Sequence, residues 1–132
     1  FNDKGERTGL WKYFYFNANL RGERTFVNDK INGREIFYHE NGLVSSDANF
    51  VDDQEAGESK SYFFTGSPRS IVNYSNGKLH GLRKIFFSNG NLKSIETYKE
   101  GQLHGPFKTY FSTGILESEG NYTDGEIDGP YK

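Results

Sequence analysis

Hydrophobic and polar residues recur along this chain with a period of 24 residues. The repeat is clearest where Gly77-Lys-Leu-His-Gly81 aligns with Gly101-Gln-Leu-His-Gly105, and the alignment extends in both directions without a gap. We therefore interpret the chain as one repeat array, residues 1–132, in which each unit contacts only its neighbours. It has five full units and a partial sixth: 5–28, 29–52, 53–76, 77–100, 101–124 and 125–132.

Several positions of the unit hold the same type of residue throughout the array. Position 5 is always glycine, positions 10 and 22 are always aromatic, and position 16 is mostly aliphatic. Columns this regular predict that every unit folds in the same way. The aromatic residues at position 10 are Phe14, Tyr38, Tyr62, Phe86 and Tyr110.

Each unit carries two turn signals. One lies at positions 13–14, as in Asn41-Gly42, and the other crosses the boundary between units, as in Asn76-Gly77 and Asp124-Gly125. Asn-Gly and Asp-Gly between β-branched and aromatic residues favour two-residue type I′ hairpins. The sequence therefore predicts an all-β fold, an elongated single-layer antiparallel meander of about eleven strands.

The turn positions also predict which residues face each other. A turn at positions 13–14 pairs position 11 with 16, and the boundary turn pairs 22 with 3 and 20 with 5. Positions 3, 11, 16 and 22 would then share one apolar face, opposite the aromatic residues of position 10. We attribute the glycine at position 5 to the ring at position 22 lying over bare backbone.

The unit G-x-L-H-G-x-x-K-x-Y-F-x-x-G-x-L-x-S-x-x-x-Y resembles the bacterial variant of the MORN repeat found in YwqK-type antitoxins. It is read from Gly77 to Tyr98 and from Gly101 to Tyr122, whereas residues 5–76 match it more weakly. The resemblance implies an elongated sheet of hairpins that binds proteins or, in some eukaryotic members, acidic phospholipids. It implies no enzymatic activity.

Composition excludes several classes of chemistry. The chain has no cysteine, which removes disulfides, thiol nucleophiles and thiolate metal sites. The net charge of −2 disfavours nucleic acid as a partner. We find no apolar window long enough for a transmembrane segment, and the compartment stays open between bacterial cytoplasm and a secreted or envelope location.

Neither a metal site nor a catalytic site is expected. His80 and His104 occupy the same position in successive units, about 9.6 Å apart in a meander, too far for one zinc ion. Asp52 and Asp53 cluster at a boundary turn, but a single layer provides no cleft that would raise a carboxyl pKa by burial. We expect no catalytic residue and no cofactor.

The aromatic residues of position 10 are the best candidates for function. They either stiffen the sheet by cross-strand stacking or, together with nearby cations, bind a partner protein. We predict protein binding through this face or through an exposed terminal strand, and open sheet ends also permit self-association. The accompanying cations are Lys60, Lys84, Lys108 and Arg69.

The alternative is an envelope- or host-facing module that binds cell-wall glycan or, peripherally, anionic lipid. Aromatic, glycine-rich hairpin repeats stack on sugars in such modules. The presence of one tryptophan, Trp11, argues against glycan, since platforms of that kind favour tryptophan.

Overall fold

The computed structural model describes residues 1–129, which form one open antiparallel β-sheet. This confirms the predicted all-β meander. The strands are β1 (Gly9–Phe14), β2 (Leu20–Val27), β3 (Lys30–Ile31), β4 (Gly33–Tyr38), β5 (Val44–Val51), β6 (Gln54–Glu55), β7 (Gly57–Tyr62), β8 (Pro68–Ser75), β9 (Lys78–Phe86), β10 (Leu92–Lys99), β11 (Gln102–Leu103), β12 (Gly105–Tyr110), β13 (Leu116–Thr123) and β14 (Glu126–Asp128).

The strand order follows the chain, so each strand pairs with the one before and after it. The continuous path is β1-β2-β4-β5-β7-β8-β9-β10-β12-β13-β14, and β3, β6 and β11 are short segments beside it. Each short segment is separated by one residue from the strand that follows, at Asn32, Ala56 and His104. The sheet therefore has eleven strand positions along its path, as the turn spacing predicts.

The boundary turns have the predicted type I′ conformation. Their two central residues both have positive φ, for example 52° at Asn76 and 79° at Gly77. The residues on either side of this turn pair directly, as Tyr74 does with Leu79. Asp29 and Asp53 adopt φ of 68° and 70° at the place where later units have glycine.

The turn at positions 13–14 differs from the prediction. In the second unit, Gly42 N donates to His39 O at 2.9 Å and His39 N donates to Leu43 O at 2.7 Å, and of the turn residues only Gly42 has a positive φ. This is a three-residue loop with glycine in the left-handed region. It pairs position 10 with position 16, as in Phe86 with Leu92. The predicted pairing of 11 with 16 was wrong, and position 16 lies on the face of the tenth-position aromatics.

The pairing of position 20 with position 5 was also wrong, because a bulge surrounds the fifth-position glycine. Tyr74 pairs with Leu79 but Val72 pairs with Arg83. Between these two pairs, β9 contains two more residues than β8. Gly81, within the bulge, has a φ of 100°. The column is glycine because the bulge needs that backbone conformation.

A ring does lie over bare backbone elsewhere in the sheet. Phe37 covers Gly22 so closely that a Cβ at residue 22 would collide with the ring. The packing that we assigned to position 5 therefore occurs at position 18 of the first unit.

The bulge makes rows of equivalent residues run straight across the sheet. After it, position 8 faces position 19 both within a unit and in the preceding unit. Directly paired residues share a face, so this central row lies on one side of the sheet. It consists of Lys12, Glu23, Ile36, Asp47, Lys60, Ile71, Lys84, Ile95, Lys108 and Glu119.

We name the two sides of the sheet by their contents. The lysine face carries the central row and the residues at positions 6, 10, 16 and 21, and the packed face carries positions 3, 7, 9, 18, 20 and 22. Within residues 1–129 the buried hydrophobic side chains are Phe26, Ala48 and Phe107 on the packed face and Ile36 on the lysine face. A single layer leaves most other large side chains partly in contact with water.

Successive boundary turns are hydrogen-bonded to one another along one edge. Gly101 N donates to Leu79 O at 2.8 Å, and Asp53 N donates to Ile31 O at 2.9 Å. Asp53 Oδ1 also accepts from Ile31 N at 2.7 Å. The aspartates that depart from the glycine pattern thus add a side-chain link to the same contact.

Gly105→Ala tests the bulge. Residue 105 has a φ of 117°, and an added Cβ would lie 3.1 Å from Thr97 Cβ. We expect the free energy of unfolding in urea, followed by circular dichroism, to fall by about 2 to 3 kcal/mol. Gly57→Ala is the control: its φ is 77° and its Cβ would meet nothing within 4 Å, so about 1 kcal/mol is expected. Equal losses would contradict the added contact with Thr97, and no loss at either residue would contradict this account of the column.

Candidate functional site

The lysine face of β7 to β12 brings together most of the residues that the sequence singles out. Lys60, Lys84 and Lys108 lie in the central row, each separated from the next by an isoleucine on the intervening strand. Beside that row runs a second row in which position 10 pairs with position 16, as in Tyr110 with Leu116. Cations and aromatic rings therefore form two parallel rows on one surface.

Charge divides this face into two halves. In the N-terminal half, the carboxylate of Asp47 is bound by Arg34 through two contacts, Nε to Oδ1 at 2.9 Å and Nη2 to Oδ2 at 2.7 Å. This hydrogen-bonded pair lowers the pKa of Asp47 and raises that of Arg34. In the C-terminal half, neither Lys84 nor Lys108 forms an ion pair with any described residue. Glu119 faces Lys108 from β13 and also has no ion-pair partner among the described residues, so the unpaired charge of the central row is positive on β7 to β12 and negative on β13.

Lys60 marks the boundary between the halves. Its Nζ lies 3.2 Å from Glu58 Oε1 on the same strand, and hydrogen bonding to that carboxylate raises the pKa of Lys60. The two side chains are 42% and 51% exposed, so the pair contributes little to stability and can be exchanged for another partner.

A shallow concavity lies beside Lys108, between β9, β10 and β12. It has a volume of about 240 Å³. Leucines of positions 6 and 16, an isoleucine of the central row and a proline give it an apolar lining that the sequence did not predict. The register error placed position 16 on the other face, and position 6 is too variable to stand out as a column. The lining includes Leu82, Leu92, Ile95, Pro106 and Tyr110.

The remaining tenth-position aromatics lie in different surroundings. Phe14, in the terminal strand β1, is 56% exposed, whereas Tyr38, Tyr62 and Phe86 are half-buried. Tyr38 lines a separate open concavity of about 480 Å³ beside the turn at Asn41. The aromatic row is thus most closely associated with lysines at Tyr62, Phe86 and Tyr110.

Arg69 is not part of these rows. Ser61 pairs with Ser70 and Tyr62 with Pro68, so Arg69 is left unpaired between them. Its equivalent in the first unit, Arg21, has its guanidinium 5.9 Å from the Tyr13 ring on the packed face. The strand pairing therefore joins the three lysines to the aromatics and leaves Arg69 outside the group.

The packed face uses its charges internally. Arg83 Nη1 donates to Glu96 Oε1 at 3.2 Å, and Tyr98 Oη donates to Glu96 Oε2 at 3.4 Å. Burial raises the pKa of Tyr98, and the charge of Glu96 raises it further. Arg24 and Glu35 make a corresponding pair at 2.5 Å between β2 and β4. The first pair joins the two strands of one hairpin, and the pair of Arg24 with Glu35 joins neighbouring hairpins.

The histidines at position 4 bind backbone. The Nδ1 atoms of His80 and His104 accept from the N–H groups of Glu100 and Asp124, each at 3.3 Å. Asn32 Oδ1 does the same for Asp52 N at 3.0 Å. Position 4 thus caps the following boundary turn, a role that the sequence analysis missed. Among residues 1–129, no cluster of three or more acidic or histidine side chains could hold a metal ion.

The fold and this surface define a repeat protein whose single-layer sheet presents regular rows of side chains. Residues 7–28, 56–76, 79–100 and 103–124 match the model of the MORN repeat variant, and these segments make up more than half of the chain. The chain belongs to the MORN repeat variant family. Repeats of this family are generally associated with binding of proteins or membrane lipids.

One further comparison and one structural finding concern the chain. No individual curated protein matches it. Across residues 1–129, no helix has the length and apolar character to cross a membrane. The segment between the first two family matches, residues 29–55, forms strands β3 to β6 of the same sheet.

Asp47→Asn tests the charge division of the lysine face. The folded protein lowers the pKa of Asp47, so the Arg34 pair stabilises fully above the ordinary value of 3.8 and its contribution disappears as the pH falls below it. At neutral pH we expect the variant to lose about 0.5 to 1 kcal/mol in urea unfolding, with a smaller difference at acid pH. Asp3→Asn, at an exposed turn, is the control. A difference independent of pH would contradict the assignment.

Proposed function

We propose that this protein is a non-catalytic scaffold that binds a partner polypeptide on the lysine face of β7 to β12. The observation that carries the proposal is the coincidence of two rows on one surface: half-buried aromatic rings, and lysines of which Lys84 and Lys108 have no ion-pair partner among the described residues. Exposed polar sheet faces have no need of such rings, whereas protein interfaces are enriched in aromatic and cationic contacts.

The surroundings of the face support binding rather than catalysis. Carboxylates on the packed face, such as Glu35 and Glu96, are already paired with arginines. The concavity beside Tyr110 is shallow and apolar, which favours the docking of a side chain over the chemistry of a water-excluding cleft. The antitoxin-like role implied by the resemblance is a narrower version of this proposal, with a toxin as the bound polypeptide.

The triple variant Tyr62→Ala, Phe86→Ala and Tyr110→Ala tests the proposal. Because interface aromatics often contribute more than 1 kcal/mol each, we expect capture of the partner from an extract of the source cells to fall at least about tenfold. Circular dichroism should retain its β-type spectrum. The control replaces Phe16 and Phe64 by alanine, which removes aromatic surface from the turn edge alone.

Undiminished capture by the folded triple variant would overturn the proposal. If the alanine variant unfolds, the corresponding leucine variant keeps the apolar volume of the rings and removes their aromatic character. If the leucine variant captures the partner as well as the unsubstituted protein does, the proposal is likewise overturned.

A second candidate is contact with a lipid surface through the turn edge. Phe16 and Phe64 are 111% and 59% exposed at equivalent positions of two turns, and aromatic side chains favour the membrane interface. Sedimentation with phosphatidylserine vesicles should then depend on these two phenylalanines and not on the tenth-position aromatics. No sedimentation, or loss only in the triple variant, would exclude this mode.

A further inference from the structure

The lysines of the central row repeat with the period of the unit. Lys60, Lys84 and Lys108 are each two strands apart, so adjacent members are about 9.6 Å apart at the ordinary strand spacing of about 4.8 Å. The outer two are then about 19 Å apart. The row runs across the strands, along the long axis of the sheet.

Lys84 and Lys108 make no ion pair with any described residue, and the pair of Lys60 with Glu58 is exposed enough to be exchanged for a ligand carboxylate. Asp47, the nearest acidic member of the row on the N-terminal side, is occupied by Arg34, and Glu119 ends the row on the other side. Between them the row alternates lysine with isoleucine and contains no carboxylate. A ligand complementary to this segment is negatively charged at intervals of about 9.6 Å.

The spacing distinguishes between ligand conformations. Same-face side chains recur about every 6.7 Å along an extended strand and about every 5.4 Å along an α-helix. A polyproline II helix has three residues per turn and rises about 3.1 Å per residue, so every third side chain recurs after about 9.3 Å on one face. Six residues span about 18.6 Å, close to the separation of Lys60 from Lys108.

The apolar surface beside the lysines fits the residues between the charges. Leu82, Leu92 and Pro106 line the concavity together with Tyr110. Proline rings and aliphatic side chains dock in aromatic-lined grooves of this kind, and a polyproline II segment loses little conformational entropy on binding. The aromatic row repeats with the same period as the lysines.

We propose that the lysine face of β7 to β12 binds an acidic, proline-rich segment in the polyproline II conformation, with Glu or Asp at every third residue paired with Lys60, Lys84 and Lys108. This rests on the proposed function, since it names the partner chemistry of the same face. The residues between the acids lie against the aromatic row and fill the concavity. The flexible lysine stems accommodate the small difference between the two periods.

A labelled peptide of four Glu-Pro-Pro triplets provides the test. Fluorescence anisotropy at low salt should show binding to the full chain, and affinity should fall as salt is added. A block peptide with four Glu followed by eight Pro has the same charge and composition without the period. We expect it to bind about threefold more weakly, because its first and fourth Glu, about 9.3 Å apart, can engage two adjacent lysines but not all three.

Charge reversal identifies the site. Lys84→Glu combined with Lys108→Glu should weaken binding of the triplet peptide by at least about tenfold. Lys12→Glu is the matched control, because Lys12 belongs to the same row in the first unit, and it should leave the affinity unchanged. Circular dichroism confirms that each variant is folded.

Three results would overturn the inference: equal affinity for the two peptides, an equal effect of Lys12→Glu, or no binding of the triplet peptide. Lysine-dependent sedimentation with anionic vesicles in the absence of peptide binding would assign the row to lipid instead. The proposed function fails separately, by undiminished partner capture in the folded aromatic variant. If the protein captures its partner but does not bind the triplet peptide, the proposed function stands and the proposed ligand is wrong.

Discussion

The sheet depends on a glycine-containing bulge in each unit. This bulge compensates for a difference in strand register between the two kinds of turn. The turn within the unit, together with the one-residue shift beside it at Phe37 and Tyr38, pairs strands in a register that differs by two residues from that of the boundary turn. Left uncorrected, that difference would displace every unit by two residues relative to the previous one, and over five units the shift would reach about the full length of a strand such as β8. The bulge at Gly81 and its equivalents inserts two residues in each unit and removes the displacement.

Straight rows follow from this correction, and the surface chemistry follows from the rows. The central row pairs Lys60 with Ile71 and Lys84 with Ile95 because both sides of each strand share one register. The carbonyl groups that the bulge removes from the ladder are bonded by side chains, as where Asn73 Nδ2 donates to Leu82 O at 3.0 Å. The donor comes from the preceding unit, so each bulge is compensated by the strand with which it pairs across the unit boundary.

The sequence contains enough to predict the meander but not its register. Boundary pairs such as Asn76-Gly77 specify a two-residue turn because both residues must take positive φ. Asn41-Gly42 is the same dipeptide, yet there only the glycine has a positive φ, and the loop is longer by one residue. A glycine column is compatible with close ring packing and with a bulge, and only the pairing of Val72 with Arg83 distinguishes them.

The compensated register difference has a consequence for how such a chain can change in length. Insertion or loss of one whole 24-residue segment leaves the remaining rows aligned, because each unit begins and ends in the same strand register. Any other indel within a strand would interrupt the rows on both faces at that point. Duplication or deletion of whole segments is therefore the change that the architecture tolerates, and it would extend or shorten the surface in steps of two strands.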